Sequence, residues 1–410
     1  MAEEKNYDVI VLGGGPAGYV AAIKASQLGG KAALIEKSKI GGTCLNRGCI
    51  PTKTYIKNAE TIEQIKKAKE RGIIIKDPSF TLDMKKVIDY KNNVVKTLTN
   101  GVEGLLRSYG VEIYPGEGIL LEGKKVQIDG SKMIQGNAII YAGGSKVSKL
   151  PIEGINSSLI LTSDEILDLE EIPKQFIIIG GGVVGVEMAE IFNAYGSQVT
   201  IIELCDRILP MMDKEISMGL TSKLKAKGIS ILTNTKLEKF EEDTDILRCY
   251  LSSGEVVTCN KALLSIGRVS DLSGLGNVKL KMSSGKVKVD EYMRTSIEGI
   301  YAPGDINGKV MLAHAAFKMG EIAAQNAMGS NVKADLRFVP SCVYTLSEIG
   351  SVGLTEEEAR EEYDICIGKF NFAGNGRALA SQETEGFVKV IGDKKYSEIL
   401  GVHILGSAAT

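Results

Sequence analysis

Tryptophan is absent from the 410 residues, and histidine occurs only twice, at His314 and His403. Two isolated histidines, with no close Cys/His cluster, leave no ligand set of the zinc-binding kind. No stretch reaches the roughly 18 apolar residues that span a bilayer. The N-terminus lacks the basic-then-apolar pattern of a signal peptide. The expectation is a cytoplasmic chain with no membrane partner. There is no basic run or Lys/Arg tail, and 49 basic against 51 acidic residues leave a net charge of −2, so electrostatics give no case for a nucleic-acid partner. The seven cysteines are an odd number in a long chain, which does not read as a disulfide framework. Cys205, Cys249, Cys259, Cys342 and Cys366 are scattered and read as small buried side chains. Only Cys44 and Cys49 stand in an unusual context.

A chain of 410 residues exceeds what one hydrophobic core usually serves, so two to four domains are expected. The strongest signal is an approximate internal repeat. Residues 7–36 and 175–203 each read as an apolar run, a glycine turn, a helical stretch ending at glycine, a second apolar run and a terminal glutamate. Each is a strand-helix-strand unit of the dinucleotide-binding type. Between them, 51–110 read as mostly helical and 111–142 as short strands. After them, 228–268 read as strands, 311–328 as a helix, and the chain from Arg337 as strands around the amphipathic run TEEEAREEY.

In the first unit, Gly13 permits the tight turn, Gly15 lets the backbone approach a pyrophosphate, and Gly18 allows close helix-strand packing. Glu36 ends the second strand, where a carboxylate accepts ribose hydroxyls. Gly180, Gly182, Gly185 and Glu203 repeat the pattern. A carboxylate at Glu203 favours a free 2′-hydroxyl and so NAD over NADP; Arg207 lies four residues on and reads as an exposed strand-end charge. For the first unit a glycine-rich turn without a ligand is the alternative.

Residues 41–54 read GGTCLNRGCIPTKT. In an ideal helix Cys44 and Cys49 would have Cα atoms roughly 8.6 Å apart, beyond the ~4.4–6.8 Å of a disulfide. A bond between them requires a distorted turn, which Gly48 is able to supply. The alternatives are a redox-active pair and two unlinked buried thiols. Their place just after a dinucleotide fingerprint favours the redox pair, since strained, accessible disulfides are the reducible kind.

GGTCLNRGCIPTK resembles the signature of the flavin-dependent pyridine nucleotide-disulfide oxidoreductases. Its wording, with GGPAGYVAAIKASQLG upstream, is most similar to the dihydrolipoamide dehydrogenase branch. IYAPGD, MLAH, SIGR and PSCVYTLSEIGSVGLTEEEA follow in the order of that family, so the resemblance spans essentially the whole chain. It implies an α/β fold with two Rossmann-like dinucleotide-binding domains and an incomplete C-terminal α+β dimerisation domain. The implied boundaries are 1–146 and 271–337 for the two parts of the FAD-binding domain, 147–270 for the NAD-binding domain, and 338–410 for the interface domain. FAD is implied in the first unit and NAD in the second. Gly42, Thr43, Gly118, Asp305 and Ala313 are implied at the flavin, Asp305 on its ribityl chain, and Gly267 beside the nicotinamide. Cys44 is the implied outer sulfur that forms the mixed disulfide with substrate, and Cys49 the inner thiolate against the flavin. Lys53 and Glu187 are implied as a cation beside the flavin and the carboxylate that holds it.

The implied activity oxidises dihydrolipoyl groups and reduces NAD+, and the implied partners are the lipoyl domain of a 2-oxo acid dehydrogenase or glycine cleavage complex and a second copy of the chain. Three departures stand out. Ala142-Gly143-Gly144 replaces Ala-Thr-Gly. Leu346-Ser347 stands where a proline is usual. The His-Pro-Thr general acid/base segment with its glutamate is expected a few tens of residues past Thr410, so a chain ending there is expected to be impaired in thiol exchange. The alternatives are a related flavoprotein disulfide reductase, a form with diaphorase but little lipoamide activity, and a flavin-bearing subunit without turnover.

Overall fold

The run DVIVL at 8–12 is apolar and β-rich, and it becomes a central strand, paired in parallel on both sides, of a mixed sheet. Strand Lys5–Leu12 pairs in parallel with Ala32–Glu36, with Val9 opposite Ala32 and Leu12 opposite Ile35. On its other side it pairs with Lys132–Tyr141. The computed structural model describes residues 5–77 and 79–410, which divide into two units.

The first unit comprises the chain to Pro51, Asn92–Lys146 and Arg268–Leu336. Its sheet runs Glu112–Pro115, Ala32–Glu36, Lys5–Leu12, Lys132–Tyr141, Lys125–Ile128, Gly118–Leu121, with Ile300–Tyr301 added beside Lys132–Tyr141. Val9, Ile10, Val11, Leu34 and Ile139 are fully buried, as near-continuous apolar runs in parallel strands require. Helix Pro16–Gln27 follows the first glycine turn with proline in its first turn, where no N–H is missed. Its buried residues are small apart from Ile23: Ala17, Gly18, Ala21, Ala22 and Ala25. That lets it lie close to helix Ala313–Ala327; a Cβ on Gly320 would sit 2.2 Å from the Ala17 carbonyl oxygen.

The second unit comprises Thr52–Lys91, Val147–Gly267 and Arg337–Thr410. Its parallel sheet runs Ser230–Leu232, Gln198–Ile202, Gln175–Ile179, Lys261–Leu264, Ile160–Leu161. A three-stranded antiparallel sheet covers Leu237–Asp243, Ile246–Leu251 and Val256–Cys259. A five-stranded antiparallel sheet runs Ser341–Val343, Glu348–Gly353, Ile399–Gly406, Phe387–Asp393, Ile365–Asn371. The run TEEEAREEY gives helix Glu356–Glu362, closed at its start by a reciprocal Thr355–Glu358 capping box. The α/β class and the doubled strand-helix-strand unit are as the sequence leads one to expect. Among the described residues no helix is long and apolar enough to cross a membrane.

The helical stretch read at 51–110 consists of Cys49–Lys67 and Met84–Ser108. Within the second unit Tyr55, Ile56, Ala59 and Ile62 of the first of these pack in one core with Ile191 and Phe192 of helix Val183–Ala194 and with Tyr195, which caps its end. The Tyr55 hydroxyl donates to the Leu167 carbonyl at 2.6 Å, and the Tyr195 hydroxyl to the Tyr55 carbonyl at 3.2 Å. This face orients Lys53, which lies on the same helix.

Candidate active site

In the first unit, Gly13 has φ +101°, and a Cβ there would lie 2.3 Å from the Ala142 carbonyl oxygen. On Gly18 a Cβ would meet the Gly13 carbonyl oxygen at 1.8 Å. Both glycines are required by the backbone itself. Glu36 is tied into the turn: its carboxylate accepts from the Gly14 N–H at 2.6 Å and the Ser38 N–H at 2.7 Å. The loop beyond Glu36 folds back over the turn, with the Gly41 N–H donating to the Gly14 carbonyl at 2.8 Å. Gly42 then lies so close that a Cβ would be 2.5 Å from the Gly15 Cα. Thr43 and Cys44 follow in the short helix Gly42–Arg47. Gly118 packs on the ends of the first two strands; a Cβ there would be 2.4 Å from Leu12 and 3.0 Å from Ile35 side-chain carbons.

The distorted turn expected between the cysteines is present. Gly48, at φ −145° and ψ −109°, separates helix Gly42–Arg47 from helix Cys49–Lys67. Both cysteines are half-buried. The Tyr19 hydroxyl is pushed up to about 12, first by burial and then by negative charge on Cys44 and Cys49. Tyr19 therefore feels the charge of both cysteines, a coupling that the sequence did not single out. Asp305 is reached through a polar chain: Arg268 donates to the Ser145 hydroxyl at 2.8 Å, and that hydroxyl donates to Asp305 at 2.6 Å. The same guanidinium donates to Thr43 at 3.4 Å. Ala313 opens helix Ala313–Ala327.

Gly143, the departure from Ala-Thr-Gly, has a packing reason. A Cβ there would sit 2.8 Å from the Asp271 carbonyl oxygen and 2.9 Å from the Tyr141 ring. The Tyr141 hydroxyl donates to that carbonyl at 3.0 Å.

The second unit repeats the geometry. Gly180 has φ +105°, with a would-be Cβ 2.5 Å from the Ser265 carbonyl oxygen, and on Gly185 it would be 2.0 Å from the Gly180 carbonyl oxygen. Glu203 accepts from the Gly181 N–H at 2.6 Å and the Cys205 N–H at 2.8 Å, the same two bonds that Glu36 makes. The Ser265 hydroxyl donates to the Gly180 carbonyl at 2.8 Å, which brings the segment ending in Gly267 beside the turn. Arg207 is not simply an exposed charge: its guanidinium donates to Glu357 at 2.7 Å and its side chain is mostly buried.

Also in this unit, Lys53 Nζ lies 3.3 Å and 3.5 Å from the two Glu187 oxygens. Glu187 is 4% exposed. Burial pushes its carboxyl up, while the Lys53 charge and the Tyr344 N–H oppose the shift. The Tyr344 ring centroid is 4.0 Å from the same ammonium. Cys342 lies within reach of the Lys53 charge; burial raises its thiol and Lys53 opposes this. His403 is a satisfied core residue, with Nε2 donating to the Leu354 carbonyl at 2.9 Å and Nδ1 3.1 Å from the Ser351 hydroxyl. His314 is exposed, next to Ala313.

Residues 7–320 match the family described as pyridine nucleotide-disulphide oxidoreductase, and residues 339–410 match the dimerisation domain of that family. The chain belongs to the pyridine nucleotide-disulphide oxidoreductases. A dihydrolipoyl dehydrogenase of Bacillus subtilis (strain 168) is 38% identical over 407 residues, covering 98% of this chain and 89% of that protein. One of Thermus scotoductus is 40% identical over 416 residues, covering 99% and 89%. The solved HOCl-induced flavoprotein disulfide reductase RclA from Escherichia coli superposes with a TM-score of 0.87 at 27% identity, covering 98% of this chain and 90% of that one.

The glycine turns of this oxidoreductase fit two dinucleotides. Helices Pro16–Gln27 and Val183–Ala194 have neither a side-chain cap nor an acidic residue in the first turn. Their leading N–H groups are available to phosphate. A Cβ on Gly182 would meet nothing within 4 Å, and its φ of −73° suits any residue. Gly182→Ala should therefore leave the melting temperature unchanged while weakening NADH binding roughly tenfold, a loss of ~1.4 kcal/mol. Gly180→Ala should destabilise the fold instead. Thermal denaturation and NADH titration of both variants check this; equal loss of stability in the two would rule it out.

Proposed function

We propose that this chain is a dihydrolipoyl dehydrogenase, which oxidises dihydrolipoyl dithiols and reduces NAD+. The observation that carries the reading is the glycine-broken pair Cys44 and Cys49, with Lys53 one turn further along the helix that Cys49 begins. Identity of 38–40% to dihydrolipoyl dehydrogenases over 98–99% of the chain supports it. The first unit binds FAD through Gly13, Gly15, Gly18, Glu36, Gly42, Thr43, Gly118, Asp305 and Ala313. The second binds NAD through Gly180, Gly182, Gly185, Glu203 and Gly267. The domains are the four segments inferred from the sequence, the protein is cytoplasmic, and it works as a homodimer. Its partner is the lipoyl domain of a 2-oxo acid dehydrogenase or glycine cleavage complex.

The thiol steps balance without an added reagent. A substrate thiolate attacks the Cys44 sulfur, the Cys44–Cys49 bond breaks, and its electron pair leaves on Cys49 as thiolate. The second substrate thiolate attacks the substrate sulfur of the mixed disulfide, closing the lipoyl ring and releasing Cys44. Bound FAD supplies the two-electron path from the dithiol to the nicotinamide. Lys53, held by Glu187, provides fixed positive charge; Arg268 and Ser145 hold Asp305.

The test is lipoamide reduction by NADH with the purified chain, with NADPH as control. NADH-specific turnover supports the reading. Electron transfer from NADH to a dye without lipoamide turnover would leave a diaphorase and sink the dithiol activity. A Lys53→Ala variant with an unchanged flavin reduction rate would remove Lys53 from the site.

A further inference from the structure

Helix Val183–Ala194 carries two buried carboxylates three residues apart, Glu187 and Glu190, each 4% exposed. They face the segment that leaves strand Ser341–Val343. Glu187 accepts from the Tyr344 N–H at 2.9 Å, and Glu190 from the Leu346 N–H at 2.6 Å. The match is geometric. N–H groups two residues apart on an extended chain point the same way, ~6.6 Å apart, and carboxylates at i and i+3 of a helix share one face at ~5–6 Å. Lys227 holds the second oxygen of Glu190 at 2.5 Å, and buried Thr345 closes on the Ser347 carbonyl at 2.6 Å. The backbone from 344 to 347 is thus fixed at every residue, and with it the direction of the Tyr344 side chain.

That side chain meets Lys53. Its ring centroid lies 4.0 Å from Nζ, and its own N–H shares the Glu187 oxygen that stands 3.3 Å from the same ammonium. A half-exposed lysine on a flexible stem has many rotamers, and one carboxylate at 3.3–3.5 Å leaves several of them open. An aromatic face removes most of the rest, since it attracts the cation and blocks the volume it would otherwise sweep.

We propose that Tyr344 is a positioning residue for Lys53, its ring confining the ammonium against Glu187, with Glu190 holding the segment that presents the ring. Only the consequence at the flavin rests on the function proposed above; the contact with Lys53 does not.

The experiment is competitive amine labelling of the full-length holoenzyme, read by mass spectrometry at Lys53 against exposed Lys214. Tyr344→Leu should raise Lys53 labelling roughly three- to fivefold, the factor an aromatic–cation contact supplies. Tyr344→Phe keeps the ring face and should label as the native protein does. Phenylalanines of increasing fluorination in place of Tyr344 keep the shape and weaken the negative ring face. Labelling should climb with each fluorine, a trend that packing alone would not produce, and this series serves if Tyr344→Leu fails to fold. The flavin midpoint potential should fall in step, by about 14–21 mV for the same three- to fivefold factor in a two-electron couple. Native labelling in Tyr344→Leu, or no trend along the fluorinated series, would overturn the proposal. A Lys53→Met variant with an unchanged potential would instead remove Lys53 from the flavin and leave the labelling result standing.

Discussion

Replacing Cys49 by serine should lower NADH-dependent lipoamide reduction by at least about 10³-fold, the scale on which removing an essential nucleophile acts, while electron transfer from NADH to a dye persists. Cys44→Ser should cost as much, because a disulfide requires both sulfurs. The two variants should differ in colour. On the proposed assignment of Cys49 as the inner sulfur, replacing Cys44 leaves the Cys49 thiolate beside oxidised flavin, so the resting protein should absorb at long wavelength and lose that band once the flavin is reduced. With Cys49 replaced, that absorbance should vanish. The colour difference rests on the family resemblance that makes Cys49 the inner sulfur; the break at Gly48, which ends one helix and lets the next begin at Cys49, accounts only for the pair being able to bond. If either variant turned over lipoamide at the native rate, the pair would not be the redox centre.

Lys389→Met should cost about 3–5 kcal/mol of stability, the scale of breaking a buried ion pair from one side. Lys389 is 1% exposed, and its ammonium donates to Asp213 at 2.9 and 3.0 Å and to Glu356 at 2.6 Å. Asp213 is fully buried and also caps helix Lys214–Ala226. Without Lys389 that carboxylate is left with backbone donors alone. Urea denaturation of the variant measures the loss, and Asp213→Asn in the same chain should recover part of it. A loss below about 1 kcal/mol, the range of exposed pairs, would show that the network does not stabilise the fold.

The pH dependence has two edges. Burial tends to raise the Asp213 carboxyl, but the Lys389 ammonium and the Glu356 N–H outweigh it and hold the carboxyl below its usual range. Its contribution is present above about pH 4 and lost as pH falls through the lowered value. Burial tends to lower Lys389, but Glu356 and Asp213 outweigh it and raise the ammonium. That contribution is present below about pH 10 and lost as pH rises through the raised value. The gap between native and variant stability should be flat between these edges and close beyond them.

What the sequence displays is local. The glycine turns, the glutamates that follow them and the two cysteines lie within about 36 residues of one another or repeat at matching spacing, and short spacing is what makes them legible. The Lys53–Glu187 pair spans 134 positions, and only family resemblance marks it. Nothing in the sequence marks Tyr344, Glu190, Ser145 or Lys389. Glu190 meets Leu346 across 156 positions and Lys389 meets Asp213 across 176, and neither periodicity nor turn chemistry signals such contacts. Arg207 reads as a solvent-facing charge because nothing near it in the chain hints at Glu357, 150 residues away. Tyr19 looks like one more helix residue after a glycine turn, and its electrostatic coupling to the cysteines comes only with the fold.

Glu203 bears on how such a chain changes its cofactor. A single substitution that removes this carboxylate to admit a 2′-phosphate also removes the acceptor for the Gly181 and Cys205 N–H groups. Hydrogen bonds to a charged group are worth ~1.5–3 kcal/mol each, so the turn that cradles the pyrophosphate would loosen at the moment the new preference was gained. Recruiting the other nucleotide is then a two-step path: first a neutral residue whose oxygen still accepts from at least one of the two N–H groups, and only afterwards a cation for the phosphate. Glu36 makes the same pair of bonds to Gly14 and Ser38, so both halves of the duplicated design resist cofactor drift for the same reason.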